Sequence, residues 1–231
     1  TEESIVTLPP GIRSLELGLY SFAEPEALLL LPQGLTKLKT TKFDRPSASW
    51  TSKTLRELPR SITYMEVSRV AWESISVDDW PASLPEMRTL FKEALSPADV
   101  AKLPRSLTVL DSTNYQPHFS NASACIPLLP PRLTSLFIVL ASNIPAPAAK
   151  YPTMHLTSLS LFKFAWTVES VEALPSCLEQ FLVMSHLSTI LPEAMNRLTR
   201  QLKVLQIDWV VTGDEERDSA VLAELPPSLV D

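Results

Sequence analysis

One phrase recurs along this chain and limits what it can fold into: "LPPGIRSLEL" starts at Leu8, "LPQGLTKLKT" at Leu31, "LPRSITYMEV" at Leu58, "LPRSLTVL" at Leu103, "LPPRLTSLFI" at Leu129 and "LPSCLEQFLV" at Leu174. Aligned on LPxxLxxLxL, the units begin at Leu8, Leu31, Leu58, Trp80, Leu103, Leu129, Pro152, Leu174, Leu198 and Leu225, 22 to 27 residues apart. In the nine complete units the fifth position reads Ile12, Leu35, Ile62, Leu84, Leu107, Leu133, Leu156, Leu178 and Leu202. The eighth reads Leu15, Leu38, Met65, Met87, Leu110, Leu136, Leu159, Phe181 and Leu205. Both columns are apolar throughout, which a repeating structural unit explains and an irregular globule does not.

Within each unit the last three motif positions alternate apolar, variable, apolar, the period of a strand with one buried face. Segments ahead of the prolines read as short helices, as in "EPEALLLL", "SPADVAK", "VESVEA" and "DSAVLAE". The proline then ends the helix, because it cannot donate to a preceding turn and pushes the residue before it out of the helical region. This punctuation accounts for much of the count of 21 prolines. A strand, a turn and a helix in so few residues cannot bury an apolar face alone, so the units must stack.

The chain has 231 residues and is 45% hydrophobic, ample for a core. With 20 basic against 26 acidic side chains it carries a formal charge of −6, which argues against nucleic acid and anionic lipid as partners. Its longest apolar run, Ala27 to Leu31, falls far short of the roughly 20 residues that cross a bilayer, so no membrane insertion is expected. Cys125 and Cys177, 52 positions apart, read as two inert buried thiols rather than a disulfide framework. The acidic amino terminus shows no secretory leader, although a trimmed chain would look the same, and Asn121-Ala122-Ser123 is a glycosylation sequon. Localisation stays open, with the cytoplasm slightly favoured.

These residues resemble a leucine-rich repeat protein, whose strand signature is LxxLxL with a period of about 20–29 residues. The leading LPxSL is also similar to FNIP-type repeats and to the proline-marked repeats of some bacterial ubiquitin-ligase effectors. The resemblance spans essentially the whole chain and implies an α/β leucine-rich-repeat solenoid: a right-handed superhelix with a parallel β-sheet on the concave face and short helices on the convex face. Residues 1–231 are expected to form one such domain of about nine full repeats. A tenth unit begins at Leu225 and stops at Asp231, so the array is expected to continue beyond it. A typical repeat carries Asn or Cys five residues beyond the second leucine. Here Tyr20, Phe43, Val70, Lys92, Tyr115, Ala141, Phe164, His186 and Val210 occupy that position, which suggests aromatic stacking in place of an asparagine ladder.

Counting from the first leucine of LxxLxL, positions one, four and six point inward and positions three, five and seven outward. Position five begins Glu16, Lys39, Glu66, Arg88 and Asp111, alternating in sign. That ladder reads either as a self-compensating solvated strip or, with Tyr64 beside it, as a rim that orients a charged partner. From the fifth repeat the outward positions turn apolar: Val109, Phe137, Val139, Phe162, Leu182, Met184 and Val204. Side by side they would form a contiguous apolar patch, with Phe137 and Phe162 as the main anchors and Trp209 as an extension, unless the array curves tightly or another segment covers them.

Catalytic chemistry is not readable. The glycines at 11, 18, 34 and 213 fit no phosphate-binding loop, His118, His155 and His186 show no metal spacing, and acids such as Asp78-Asp79 and "GDEER" suit helix starts. The chain is expected to be no enzyme and to need no cofactor or metal. The reading that follows is a scaffold or recognition module that binds a protein partner through its concave sheet, with self-association through the apolar strip left open. The alternatives are the substrate-recognition part of a ubiquitin ligase or its adapter, and a secreted or surface recognition protein.

Overall fold

The computed structural model describes residues 8–17, 30–40, 50–68, 70, 72–90, 94–112, 119–139, 155–162, 167–184, 192–207, 219, 221 and 223–229. Among these, each complete repeat supplies one strand: β1 Ser14–Leu17, β2 Lys37–Thr40, β3 Tyr64–Ser68, β4 Glu86–Leu90, β5 Val109–Ser112, β6 Ser135–Val139, β7 Ser158–Phe162, β8 Gln180–Met184 and β9 Val204–Ile207. They form one open sheet in chain order, every pair parallel. The register matches repeat position to repeat position, so Leu110 lies beside Leu136, and Leu136 beside Leu159. The fold is a leucine-rich-repeat solenoid.

The two aliphatic columns fuse into one dry interior. Leu35, Leu38, Ile62, Met65, Leu84, Met87, Leu107, Leu110, Leu133, Leu136, Leu156, Leu159, Leu178, Phe181 and Leu202 are all buried in a single cluster. Burial of a leucine-sized side chain contributes about 1.5–3 kcal/mol, so this column supplies most of the driving force for stacking. Thr40 takes an inward position where most repeats place an apolar residue, and its hydroxyl donates to the Glu66 carbonyl at 3.1 Å, so no polar atom is stranded there.

Each described proline of the motif opens a four-residue turn. The Pro32, Pro59, Pro81, Pro104, Pro130 and Pro175 carbonyls accept from the amides of Leu35, Ile62, Leu84, Leu107, Leu133 and Leu178 at 3.0 to 3.2 Å. Proline therefore does more than end the preceding helix, since its carbonyl also closes the turn that delivers the chain to the next strand.

The helices are short: Ser52–Arg56, Pro97–Val100, Ala122–Cys125, Val168–Glu172 and Pro192–Met195. Thr51, Ser96 and Thr167 cap three of them, each side chain accepting from the third helical amide. "SPADVAK" and "VESVEA" are thus helical as read, while most of "EPEALLLL" lies outside the described residues.

The aromatic stacking expected in place of an asparagine ladder falls almost wholly outside the described residues. Of the nine residues in that column only Val70 is described, in an isolated bridge to Trp50, and the others lie outside the described residues. Among the described residues, neighbouring repeats are tied by hydroxyls at the turn. Ser61, Ser106 and Ser228 donate to the first-position carbonyls of Leu35, Leu84 and Leu202 in the preceding repeat, at 2.6 to 2.8 Å. Two places further along, Thr36, Thr63, Thr108, Thr134 and Thr157 donate to the carbonyls of Arg13, Thr36, Pro85, Thr108 and Thr134. The Thr108 carbonyl gathers three donors: the Thr134 amide at 2.7 Å, the Ser135 amide at 3.0 Å and the Thr134 hydroxyl at 3.0 Å.

Candidate interaction surface

The register turns repeat position five into a continuous row across the sheet: Glu16, Lys39, Glu66, Arg88, Asp111, Phe137, Ser160, Leu182 and Gln206, each beside the next. Its first half is an ionic ladder. Lys39 Nζ lies 4.0 Å from Glu16 Oε2 and 3.6 Å from Glu66 Oε2, and Arg88 Nε is 3.1 Å from Asp111 Oδ2. Tyr64 Oη donates to Glu66 Oε2 at 3.0 Å, with Lys37 Nζ 4.5 Å above its ring and the Arg88 guanidinium 6.0 Å away. Tyr64 is buried by these neighbours rather than by the core.

Burial of Tyr64, reinforced by its hydrogen bond to Glu66 and that carboxylate's charge, pushes the phenol up to about 12. Burial also pushes the Asp111 carboxyl up, against the pull of Arg88 and with help from Glu66. Glu66 and Asp111 flank Arg88 in register, Glu66 also meeting Lys39, while Glu86, two residues before Arg88 on the same strand, has no cation partner among the described residues. Lys37 and Glu86 belong to this surface although the sequence reading passed over them. Their repeat position, three, was the available signal.

The apolar half differs from expectation in two respects. Val109, Phe137 and Leu182 are half-buried and Val204 is 44% exposed, all at outward register positions. Val139 is only 2% exposed, although it lies outside the interior cluster, so it is covered rather than presented. At repeat positions three and five the apolar residues are not adjacent across the sheet. Ser160 separates Phe137 from Leu182, and Ser135, Ser158 and Gln180 separate Val109 from Val204. Phe162 pairs in register with Val139 and Met184, diagonal to Phe137 rather than beside it, and the side chains of Phe162 and Met184 lie outside the described residues, as does Trp209.

No helix among the described residues is long and apolar enough to cross a membrane, and no three metal-ligating side chains converge there. His155 is exposed, whereas His118, His186 and "GDEER" lie outside the described residues. Asp79 is fully buried in ion-pair and capping contacts, as a structural acid would be.

No family model and no curated protein matches the sequence. Solved structures match the fold. The leucine-rich repeat-containing protein LegL7 of Legionella pneumophila superimposes with a TM-score of 0.63 at 18% identity, over 99% of this chain and 84% of that one. CroV588, described as a novel circular leucine-rich-repeat structure, gives 0.53 at 20% identity, over 87% of this chain and 31% of that one. An internalin of Listeria monocytogenes gives 0.53 at 16% identity, over 93% of this chain and 59% of that one. The class is thereby defined: the chain folds as these leucine-rich-repeat proteins do.

Proposed function

We propose that this chain is a protein-binding module whose contact surface is the outer face of the sheet. The observation that carries this reading is the placement of Phe137, Leu182 and Val204, large apolar side chains on the solvent side of a sheet whose other face already holds a complete core. Water-facing strands ordinarily carry polar side chains, and apolar ones set on a rigid sheet are where hot spots concentrate. The ionic ladder next to them supplies orientation more than affinity, because its pairs are partly exposed and contribute only about 0–1 kcal/mol each. Recognition rather than catalysis is the work proposed here, and any chemistry belongs to the partner.

The test is affinity capture with the wild-type chain beside a Phe137→Asp/Leu182→Asp variant that retains its circular dichroism and melting transition. Loss of a captured protein on the variant supports the reading. Equal retention by both overturns it.

A further inference from the structure

The turn edge of the sheet, where the chain enters each strand, carries charge of one sign. The four residues that open each unit, LPxx in the consensus, include no Asp or Glu from 8–11 to 225–228, although the chain has 26 acids. They do include Arg60, Arg105, Arg132 and Arg200. Most described cations of the molecule are engaged. Lys39, Arg56, Arg88, Lys102, Arg197 and Lys203 each meet a carboxylate within 4.0 Å, and Arg13 and Arg60 donate to backbone carbonyls. Arg105, Arg132 and Arg200 are exposed and have no hydrogen-bond or ion-pair partner among the described residues. Carboxylates that flank these turns are met by other cations: Glu172, just before the turn at Leu174, by Arg197 at 3.5 Å, and Glu179, just after it, by Lys203 at 2.9 Å.

The three arginines fall in a row. Arg132 and the exposed His155 occupy equivalent positions of adjoining units, Arg105 is one unit earlier and one residue back, and Arg200 is three units beyond Arg132. With units about 4.8 Å apart, the row spans about 19 Å, the length of about six extended residues at about 3.3 Å each. In the same column Ser61, Ser106 and Ser228 spend their hydroxyls on the carbonyl of the preceding repeat. Arg132 replaces such a serine with a donor group that nothing described engages. A guanidinium stays charged at any working pH and meets a carboxylate with two parallel donors.

We infer that the turn edge of units five to nine is a second contact surface, distinct from the sheet face, which takes an extended acidic segment of a protein partner. Arg105 and Arg132 seat its first carboxylates and Arg200 its far end. Charge complementarity selects this occupant: unpaired cations stand in a line, and no acid of the opening tetrapeptides competes for them. Exposed pairs contribute only about 0–1 kcal/mol each, so the edge binds weakly by itself and serves to orient the partner and speed its approach. Nucleic acid is disfavoured, because a chain of formal charge −6 lacks the broad basic footprint that a phosphate backbone needs. Phe137 and Leu182 take no part in this contact.

The experiment titrates acetylated hexaglutamate into the isotope-labelled chain at low ionic strength and follows the arginine Nε–H signals by NMR. Saturable shifts at Arg105, Arg132 and Arg200, and none at Arg13 or Arg60, are expected, with affinity falling several-fold between about 10 and 150 mM salt. Arg105→Glu/Arg132→Glu, retaining the circular dichroism of the wild type, should weaken binding about tenfold or more, and Arg132→Glu alone about threefold. Lys53→Glu makes the same charge change as Arg132→Glu on the exposed side of the helix Ser52–Arg56 and should alter binding by less than about twofold. Equal weakening by Arg132→Glu and Lys53→Glu would assign the binding to net charge and overturn the inference. Absence of a saturable shift, or shifts spread evenly over all arginines, overturns it too. Tighter binding of an oligothymidylate of equal charge overturns it in favour of nucleic acid. Hexaglutamate has no apolar side chain to engage Phe137 or Leu182, so each of these failures leaves the sheet-face reading to the capture experiment.

Discussion

Arg56 Nε donates to Asp79 Oδ1 at 2.5 Å, linking the helix of one repeat to the 3-10 turn Val77–Asp79 of the next, with the aspartate side chain wholly buried and the arginine side chain mostly exposed. Asp79 Oδ2 also accepts from the Ser76 amide at 2.7 Å. Burial alone would raise this carboxyl, but the Ser76 amide, the Ser52 hydroxyl and the Arg56 guanidinium outweigh it and hold it below its ordinary value. A depressed acid contributes stability above its unfolded value of about 3.9, and loses it as pH falls through the lower folded value. Asp79→Ala is expected to cost about 2–4 kcal/mol at neutral pH, because it removes a charge-assisted pair and leaves the Ser76 amide uncapped. Urea denaturation of both chains across a pH series checks this: the gap should narrow only below about pH 4. A gap independent of pH would assign the loss to packing instead.

The hydroxyl ladder makes a second prediction. Ser106 Oγ donates to the Leu84 carbonyl and Thr108 Oγ1 to the Pro85 carbonyl, each across a repeat boundary. Ser106→Ala and Thr108→Val should each cost about 1 kcal/mol in chemical denaturation, the net worth of one such bond. Arg105→Ala, at the exposed turn position next to Ser106, serves as the reference and should stay within about 0.5 kcal/mol of wild type. Equal losses in all three variants would mean that the turn, and not the hydroxyl bonds, sets the cost.

How far the sequence carried the fold follows from these same residues. The columns from Ile12 to Leu202 and from Leu15 to Leu205 were legible because burial acts on them at a fixed period, and once they are aligned the parallel register follows. The serines and threonines of the hydroxyl ladder were visible too, but Ser and Thr in a turn ordinarily bond locally, and nothing in a single repeat says that the acceptor lies in the previous one. Strand parity placed Val139 on the outer face and could not say that it would be covered there. The apolar strip was read from its large residues, whereas its relief is set by the small ones between them, Ser158 and Ser160. Parity gives the side of a sheet; the shape of that side depends on the neighbouring strand at the same position.

Tyr64 defines an alkaline limit. Its phenol is raised to about 12 by burial first and by Glu66 second, so the neutral form is the one the fold favours. The stability it contributes is complete below the unfolded value of about 10 and is lost as pH rises from there through the folded value. Tyrosinate absorbance should show one of the four tyrosines titrating late, with the change accompanied by unfolding. In Tyr64→Phe that late titration should vanish, and in Glu66→Gln it should move down toward the ordinary value. A late phase that persists in Tyr64→Phe would assign it to another tyrosine.

The two cysteines should behave differently. Cys125 is fully buried, its Sγ–H directed at the Leu95 carbonyl at 3.7 Å, and burial pushes its thiol up. Cys177 is half-buried and occupies the column held by Ser61, Ser106 and Ser228, donating to the Leu156 carbonyl at 3.4 Å as those serines do to theirs. A serine at position 177 can form the shorter, stronger bond of its column, so Cys177→Ser should change stability by less than about 0.5 kcal/mol or raise it. Cys125→Ser places a hydroxyl in an apolar interior with only a distant acceptor, and should cost about 1–3 kcal/mol. Thiol labelling of the folded chain should modify Cys177 first and reach Cys125 only on unfolding, because a reagent needs both access and a thiolate. Mass spectrometry of the labelled peptides distinguishes the two sites. Early modification at Cys125 would mean that the coil from Asn121 to Leu128 opens well before the array does.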